Sequence, residues 1–243
     1  MFVNASAATV GHLNVIHKGQ LTVGLEGGFA PFSFRTKSGK LSGFEVALAK
    51  DVAKQLKLKP VFVQTKFDSL ISGLDTKKYD VVYNDMSITP ERQKAYTFGR
   101  EYLFTKSVLI TKKGSDIKTY ADLKGKRAAE TTSSNFSQAA KKAGAQIVAA
   151  PGFAEQLELV ANGKADVVLN SQDSWTAYKK VHPETNLQAT VTNALGQTTA
   201  APMLNKHNKQ LAKKISQAQR KLEKDGTMKQ LSEKYFGADL TKK

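Results

Sequence analysis

The chain has 243 residues, with 37 Lys and Arg against 21 Asp and Glu, a formal net charge of +16, 40% hydrophobic residues and no cysteine. This balance supports a packed core in one large or two smaller domains and excludes disulfides and thiolate metal sites. Its four histidines, His12, His17, His182 and His207, are scattered with no carboxylates at ligand spacing, so no metal site is expected.

Residues 1–18 are polar and mixed, without the apolar run of an intact signal peptide. They are expected to be the flexible start of a mature form whose export signal is gone, although a cytoplasmic protein would begin in the same way. From Leu21 onward, β-rich runs alternate with amphipathic stretches, the pattern of βα units on a mostly parallel sheet. LTVGL (21–25) is predicted as a strand. The next stretch, GFEVALAKDVAKQLKL, carries Phe44, Leu48, Val52 and Leu56 every four positions, one face of a helix. PVFV (60–63), FDSLISGL and DVVYN (80–84) follow as strand, short helix and strand.

The order then returns. RAAE (127–130), SNFSQAAKKA, QIVAA, FAEQLELVA and DVVLN (166–170) read as strand, helix, strand, helix and strand. An offset of 86 superimposes Phe67 on Phe153, Lys78 on Lys164, Asp80 on Asp166, Val81 on Val167, Val82 on Val168 and Asn84 on Asn170. Two similar α/β lobes are expected: residues 19–108 with 202–243 as the first, and 109–201 as the second, inserted one. SVLITKK (107–113) and TTAAPMLNK (198–206) are the two crossings between them, which makes a hinge. Ligands of open parallel sheets bind beyond the carboxyl ends of strands, so the stretches after Asn84 (with Asp85 and Ser87) and after Asn170 (with Ser171) are expected to face each other across a cleft.

The positive charge calls for an anionic neighbour. Residues 204–243 alone carry 11 Lys and Arg against 4 Asp and Glu, so 11 − 4 = +7, on predicted helices with basic outer faces. Nucleic acid is not expected, because no aromatics interleave with the basic residues and no groove-reading helix is evident. An anionic cell envelope accounts for the same charge.

The stretches GGFAPFSF, GFEVALAKDVAKQL, FDSLISGL, DVVYNDMSITPERQK, DLKGKRAAETTSSNF, GKADVVLN and KLEKDGTMKQLSEKYFG, in this order, resemble the polar amino-acid solute-binding proteins of bacterial ABC transporters (family 3), and within them the cystine-binding type. The similarity runs from about residue 20 to about residue 237. It implies a type II periplasmic-binding-protein fold and an exported receptor that passes a free amino acid to a membrane permease, without a cofactor and as a monomer.

A free amino acid carries a carboxylate and an ammonium, and neither can be buried unpaired without a cost of several kcal/mol. Arg92, just past Pro90 in ITPER, has the planar fork suited to a carboxylate, and the resemblance implies that role; the alternative is a surface Arg paired with Glu91 or Asp68. TTSSNF (131–136) opens a helix whose free N–H groups suit the same carboxylate, and the resemblance points to Ser133, Ser134 and Asn135; the alternative is an ordinary N-cap. By the same resemblance Phe29 and Phe67 are aromatic walls, whereas an isolated Phe is more often core.

The resemblance also marks departures. Many relatives carry an ammonium-binding Asp where this chain has Ser171, which leaves the task to Asp173 or to the other lobe. Asp85 stands where an uncharged residue is usual, Glu26 where relatives with cationic ligands contact the side chain, and Glu130 where the cystine type often has an amide. Four acids in a chain of charge +16 point to a ligand with more than one ammonium or a cationic side chain. Cystine is ranked ahead of a cationic amino acid. Two other functions stay open: a basic cell-surface adhesion protein, and a dehydratase on the same fold.

Overall fold

A computed structural model describes residues 13–243. Its first lobe is built on a five-stranded sheet. β1 (Gln20–Leu25) pairs in parallel with β4 (Lys59–Gln64) on one side and β5 (Val81–Val82) on the other, and β12 (Met203–Asn205) joins β5 to β6 (Tyr96–Phe98) in antiparallel sense. The run after β1 carries a hairpin of β2 (Phe34–Arg35) and β3 (Leu41–Ser42). β1 is buried on both faces, with Leu21, Val23 and Leu25 on one and Thr22 and Gly24 on the other, because helices cover both.

The periodicity of α1 (Phe44–Gln55) decides its place: Phe44, Leu48 and Val52 are fully buried while Lys50 and Lys54 face solvent. Each buried side chain of this kind contributes roughly 1.5–3 kcal/mol. Gly43 precedes the helix at φ 130°, where a Cβ would lie 2.2 Å from the Phe32 carbonyl oxygen, so only glycine allows this entry. α2 (Phe67–Asp75), α3 (Pro90–Ala95), α7 (Lys209–Lys224) and α8 (Thr227–Phe236) complete the lobe. α7 and α8, from the far end of the chain, close the core around β1 and α1 with Leu211, Ile215, Leu222 and Met228.

The second lobe contains β8 (Arg127–Glu130) parallel to β9 (Gln146–Ala149), with α4 (Asn135–Lys142) between them and α5 (Phe153–Ala161) after them. β10 (Val168–Ser171) and α6 (Gln172–Val181) follow. A parallel bridge, Ala128↔Val167, ties β8 to the start of β10. β7 (Leu103–Lys112) lies antiparallel between β10 and β11 (Leu187–Ala200).

The expected mostly parallel sheets therefore hold only for β4, β1 and β5 and for β9 and β8. The segments that leave and return between the lobes run against the βα units and add antiparallel strands. Nor are those two crossings independent. Leu103 pairs with Ala200 and Lys106 with Gln197, so the hinge is one hydrogen-bonded ribbon.

Residues 13–18 of the segment expected to be flexible are held down: Leu13 and Val15 pack on the core, and the Ile16 N–H donates to Asp80 Oδ1 at 2.8 Å. Residues 1–12 lie outside the described residues. The repeat is physical as well as textual. Asp80 Oδ2 accepts from the Thr22 N–H at 2.8 Å, and Asp166 Oδ2 accepts from the Arg127 N–H at 2.8 Å, so each lobe fastens its opening strand with the same aspartate. α2 and α5 have 9 residues each and are offset by 86, from Phe67 to Phe153.

Candidate functional site

A cavity of about 60 Å³ lies between the lobes. On the first lobe it is walled by the residues that follow β1 and β5. Asn84 brackets Glu26: its Oδ1 accepts from the Glu26 N–H at 2.8 Å and its Nδ2 donates to Glu26 Oε2 at 2.7 Å. Both residues line the cavity, and the Asn84 amide holds Glu26 in place. Burial raises the Glu26 carboxyl above its usual range, against the pull of the Asn84 bond.

Asp85, next in the chain, also lines the cavity and adopts φ 47°, a left-handed backbone that Asp tolerates better than most residues. The Asp85 N–H donates to Glu45 Oε1 at 2.6 Å, which fixes this turn from below. Burial, then the charges of Asp173 and Glu45, push the Asp85 carboxyl well above the carboxylate range. Phe29 and Phe67 are half-buried and line the cavity, while Phe32 is fully buried in the core and stacks on Phe29 at 4.5 Å.

The second lobe supplies Glu130 at the end of β8, whose Oε1 accepts from the Leu169 N–H at 2.7 Å. Burial raises its carboxyl well above the usual value, which favours the neutral acid. Ser134 and Asn135 line the cavity at the start of α4, where Ser134 Oγ caps the helix by accepting from the Ser137 N–H at 2.9 Å. The capping and cavity roles thus coincide at Ser134.

Five expected residues do not line the cavity. Ser133 instead latches the lobes, its N–H and Oγ both donating to Asp68 Oδ1 in the first turn of α2. Ser171 Oγ turns to Asp85 and Ser174. Asp173, in the first turn of α6, lines a recess with Phe104 and Gln172 instead of the cavity. Its Oδ1 accepts from the Ser174 N–H, and Oδ2 is buried without a partner.

Ser87 and Arg92, in the run that follows β5, are both buried. Arg92 Nη1 donates to the Ser87 carbonyl at 2.9 Å, and the residue is 8% exposed. The surface pairing with Glu91 or Asp68 does not form. Thr89 caps α3 by accepting the Arg92 N–H at 3.2 Å, which orients this residue. Burial lowers the guanidinium to about 10, with no carboxylate bonded to it.

Six further residues complete the cavity: Thr131, Phe136, Gly152, Phe153, Gln156 and Asn170. Phe153 and Asn170 are the repeat partners of Phe67 and Asn84, a signal present in the sequence. Gln156 reaches the cavity through α5 and donates to Thr131 Oγ1 at 3.0 Å, a pairing with no local sequence signature. The Phe29 and Phe153 rings meet across the lobes at 6.2 Å, edge to face. Altogether the cavity presents three carboxyl groups, Glu26, Asp85 and Glu130, and no Lys or Arg.

Two α/β lobes on a paired hinge, in contact over an acidic, aromatic-walled cavity, define a ligand-enclosing receptor. The chain belongs to the bacterial extracellular solute-binding proteins, family 3, whose model matches residues 21–238. It is 39% identical over 222 residues to a probable amino-acid ABC transporter-binding protein of Haemophilus influenzae, across 91% of this chain and 86% of that one. The L-cystine-binding protein TcyA of Bacillus subtilis is 34% identical across 93% and 84%.

Among solved structures, the L-cystine solute receptor of Neisseria gonorrhoeae in its unliganded open conformation is 36% identical, covering 93% of this chain and 96% of that one, with a TM-score of 0.64. An ancestral arginine-binding protein bound to arginine is 34% identical, covering 90% and 99%, with a TM-score of 0.82. At similar identity the bound structure superposes better, in keeping with the contacts between the lobes. Among the described residues no helix is long and apolar enough to cross a membrane.

Proposed function

We propose that this protein is an extracytoplasmic receptor that encloses a polar amino acid between its lobes and delivers it to an ABC importer, with cystine ranked ahead of a cationic amino acid. One observation carries the reading. The cavity presents three carboxyl groups and no Lys or Arg, so an ammonium finds its partners there, while Arg92, buried outside the cavity lining with no carboxylate bonded to it, is the cation left for the ligand's carboxylate. The relatives named for L-cystine support the first-ranked ligand, and the arginine-bound structure supports the second.

A thermal-shift panel of amino acids tests this directly, since a ligand that binds only the folded state raises Tm by mass action. One or a few amino acids raise Tm in the wild type and none in Arg92→Ala; no shift with any amino acid overturns the reading. Turnover of prephenate or arogenate that is lost in Glu26→Gln would favour a dehydratase instead.

The charge favours a second, compatible role. The solvent face of α7 carries Lys209, Lys213, Lys214, Arg220, Lys221 and Lys224, all exposed. A face of this kind holds the protein at an anionic envelope, and salt extraction from cells is the check, because such retention weakens steeply with ionic strength.

A further inference from the structure

The recess that Asp173 lines is separate from the cavity. It holds about 370 Å³ against about 60 Å³, and the two share no lining residue. Three parts of the chain wall it. The hinge ribbon gives Phe104, Lys106 and Gln197, the start of α6 gives Asp173 from the second lobe, and Phe236 and Leu240 come from the first lobe, at and beyond the end of α8. The Phe104 N–H donates to the Leu240 carbonyl at 2.8 Å, which holds this last stretch against the ribbon. With a wall from each lobe, the recess keeps its shape only while the lobes keep this arrangement.

Its chemistry is one buried acid beside apolar surface. Asp173 is 3% exposed, its Oδ1 accepts from the Ser174 N–H at 3.0 Å, and its Oδ2 is buried without a partner. An unmet buried polar atom costs about 1–3 kcal/mol, so a donor brought into the recess supplies what the fold leaves open. Lys106, exposed on the ribbon, is the other charged residue of the lining. A hydrogen-bonded path runs from this acid to the cleft: Asp173 Oδ1 to the Ser174 N–H, Ser174 Oγ to Ser171 Oγ at 2.8 Å, and Ser171 Oγ to Asp85 Oδ2 at 3.4 Å.

We propose that this recess is a second binding site, at the hinge, for a small primary amine with an apolar body and no carboxylate, and that its occupation favours the lobes in contact. The ammonium meets the Asp173 carboxyl, which turns Oδ2 toward it about the soft final torsion of the side chain, and the body lies on Phe104, Phe236 and Leu240. Lys106 opposes the cation and weakens it. A ligand that prefers the lobes in contact shifts the population toward that form, so the amine and the amino acid strengthen each other by one common factor. That coupling rests on the receptor reading above, whereas the site itself does not.

Benzylamine and benzyl alcohol are matched probes, alike in size and different in charge. Titration calorimetry of the whole protein at pH 8 is expected to show about tenfold tighter binding of the amine, the difference between a charged and a neutral hydrogen bond. This preference falls to near one in Asp173→Asn and grows in Lys106→Ala. It is unchanged in Glu26→Gln, which separates the recess from the acidic cavity. Ala238→Trp, at an exposed position of the wall, fills the recess and abolishes binding of both probes, a check that leaves α6 untouched. Saturating benzylamine raises the affinity for L-cystine or L-arginine about fivefold. Equal binding of the two probes, a preference that survives in Asp173→Asn and Ala238→Trp, or one lost in Glu26→Gln overturns the hinge site. Amine binding that leaves amino-acid affinity unchanged overturns the coupling, and amine binding with no amino acid bound at all removes the receptor reading while the site stands.

Discussion

Ser171 Oγ donates to Asp85 Oδ2 at 3.4 Å, and the two residues are repeat equivalents, 86 positions apart. The internal symmetry thus converges on a contact between its own two copies, one polar hydroxyl and one carboxylate, at the inner end of the cleft. On the receptor reading Asp85 holds the ligand's ammonium from the first lobe. Asp85→Asn then lowers amino-acid affinity roughly 10- to 100-fold, the worth of a hydrogen bond to a charged group.

The pair also permits an exchange. Ser171→Asp alone sets a second carboxylate against Asp85 and weakens binding at pH 8. The double variant Asp85→Ser/Ser171→Asp moves the single charge to the other lobe and restores affinity to within about tenfold of the wild type. Calorimetry on the four proteins reads this, and a double variant as weak as Ser171→Asp alone contradicts the exchange.

Glu45 makes stability depend on pH. It is fully buried on α1, accepts from the Asp85 N–H and the Tyr102 hydroxyl, and leaves Oε2 without a partner. Desolvation raises its carboxyl from 4.5 to about 7, helped by the charges of Glu26 and Asp173. A folded value above the unfolded one means that the stabilising contribution is complete below about pH 4.5 and is lost as pH rises to about 7. The loss is on the order of 3 kcal/mol. Urea denaturation is therefore expected to give a less stable protein at pH 8 than at pH 5. Glu45→Gln keeps the acceptor for Tyr102 and Asp85 and flattens this profile; a profile as steep as the wild type's assigns the dependence to other groups.

Arg92 separates charge from geometry. Removing it costs the ligand's carboxylate its partner, about 2–5 kcal/mol of binding. Arg92→Lys keeps the charge and loses the planar fork, so its affinity is expected between those of the wild type and Arg92→Ala, as read by titration calorimetry. Equal loss in both variants points to the Ser87 hydrogen bond and to packing rather than to the ligand.

The parts of this fold that were legible in the sequence are those set by local periodicity. The faces of α1, α2 and α5 and the strand β1 follow from spacing alone, because burial of one face dictates where apolar residues recur. The repeat was visible through the offset of 86, which aligns Asp80 with Asp166, and both accept a backbone N–H, from Thr22 and from Arg127. The pairing of the two crossings was not visible, since Leu103 and Ala200 meet by long-range register and no local signal encodes that. At the site, side-chain direction decided the outcome. Ser133, Ser134 and Asn135 are consecutive, yet Ser134 and Asn135 face the cavity while Ser133 faces Asp68, and Asp173 lines a different recess.

That divergence at Ser133 carries the last prediction. Ser133 donates twice to Asp68 across the lobes, its N–H at 3.2 Å, and these bonds exist only while the lobes are in contact. Asp68 is exposed at the start of α2 and does not line the cavity. Its removal takes nothing from the ligand itself, but it lowers the free energy needed to open the lobes. Two hydrogen bonds to an exposed carboxylate are together worth about 1 kcal/mol, or roughly fivefold in the opening equilibrium. For a ligand that leaves only through the open form, Asp68→Ala is expected to raise the dissociation rate about fivefold and to change the association rate little, because the encounter occurs with the open form. Stopped-flow displacement following intrinsic fluorescence measures both rates. A fall in association with an unchanged dissociation rate would place Asp68 in ligand capture instead of the latch.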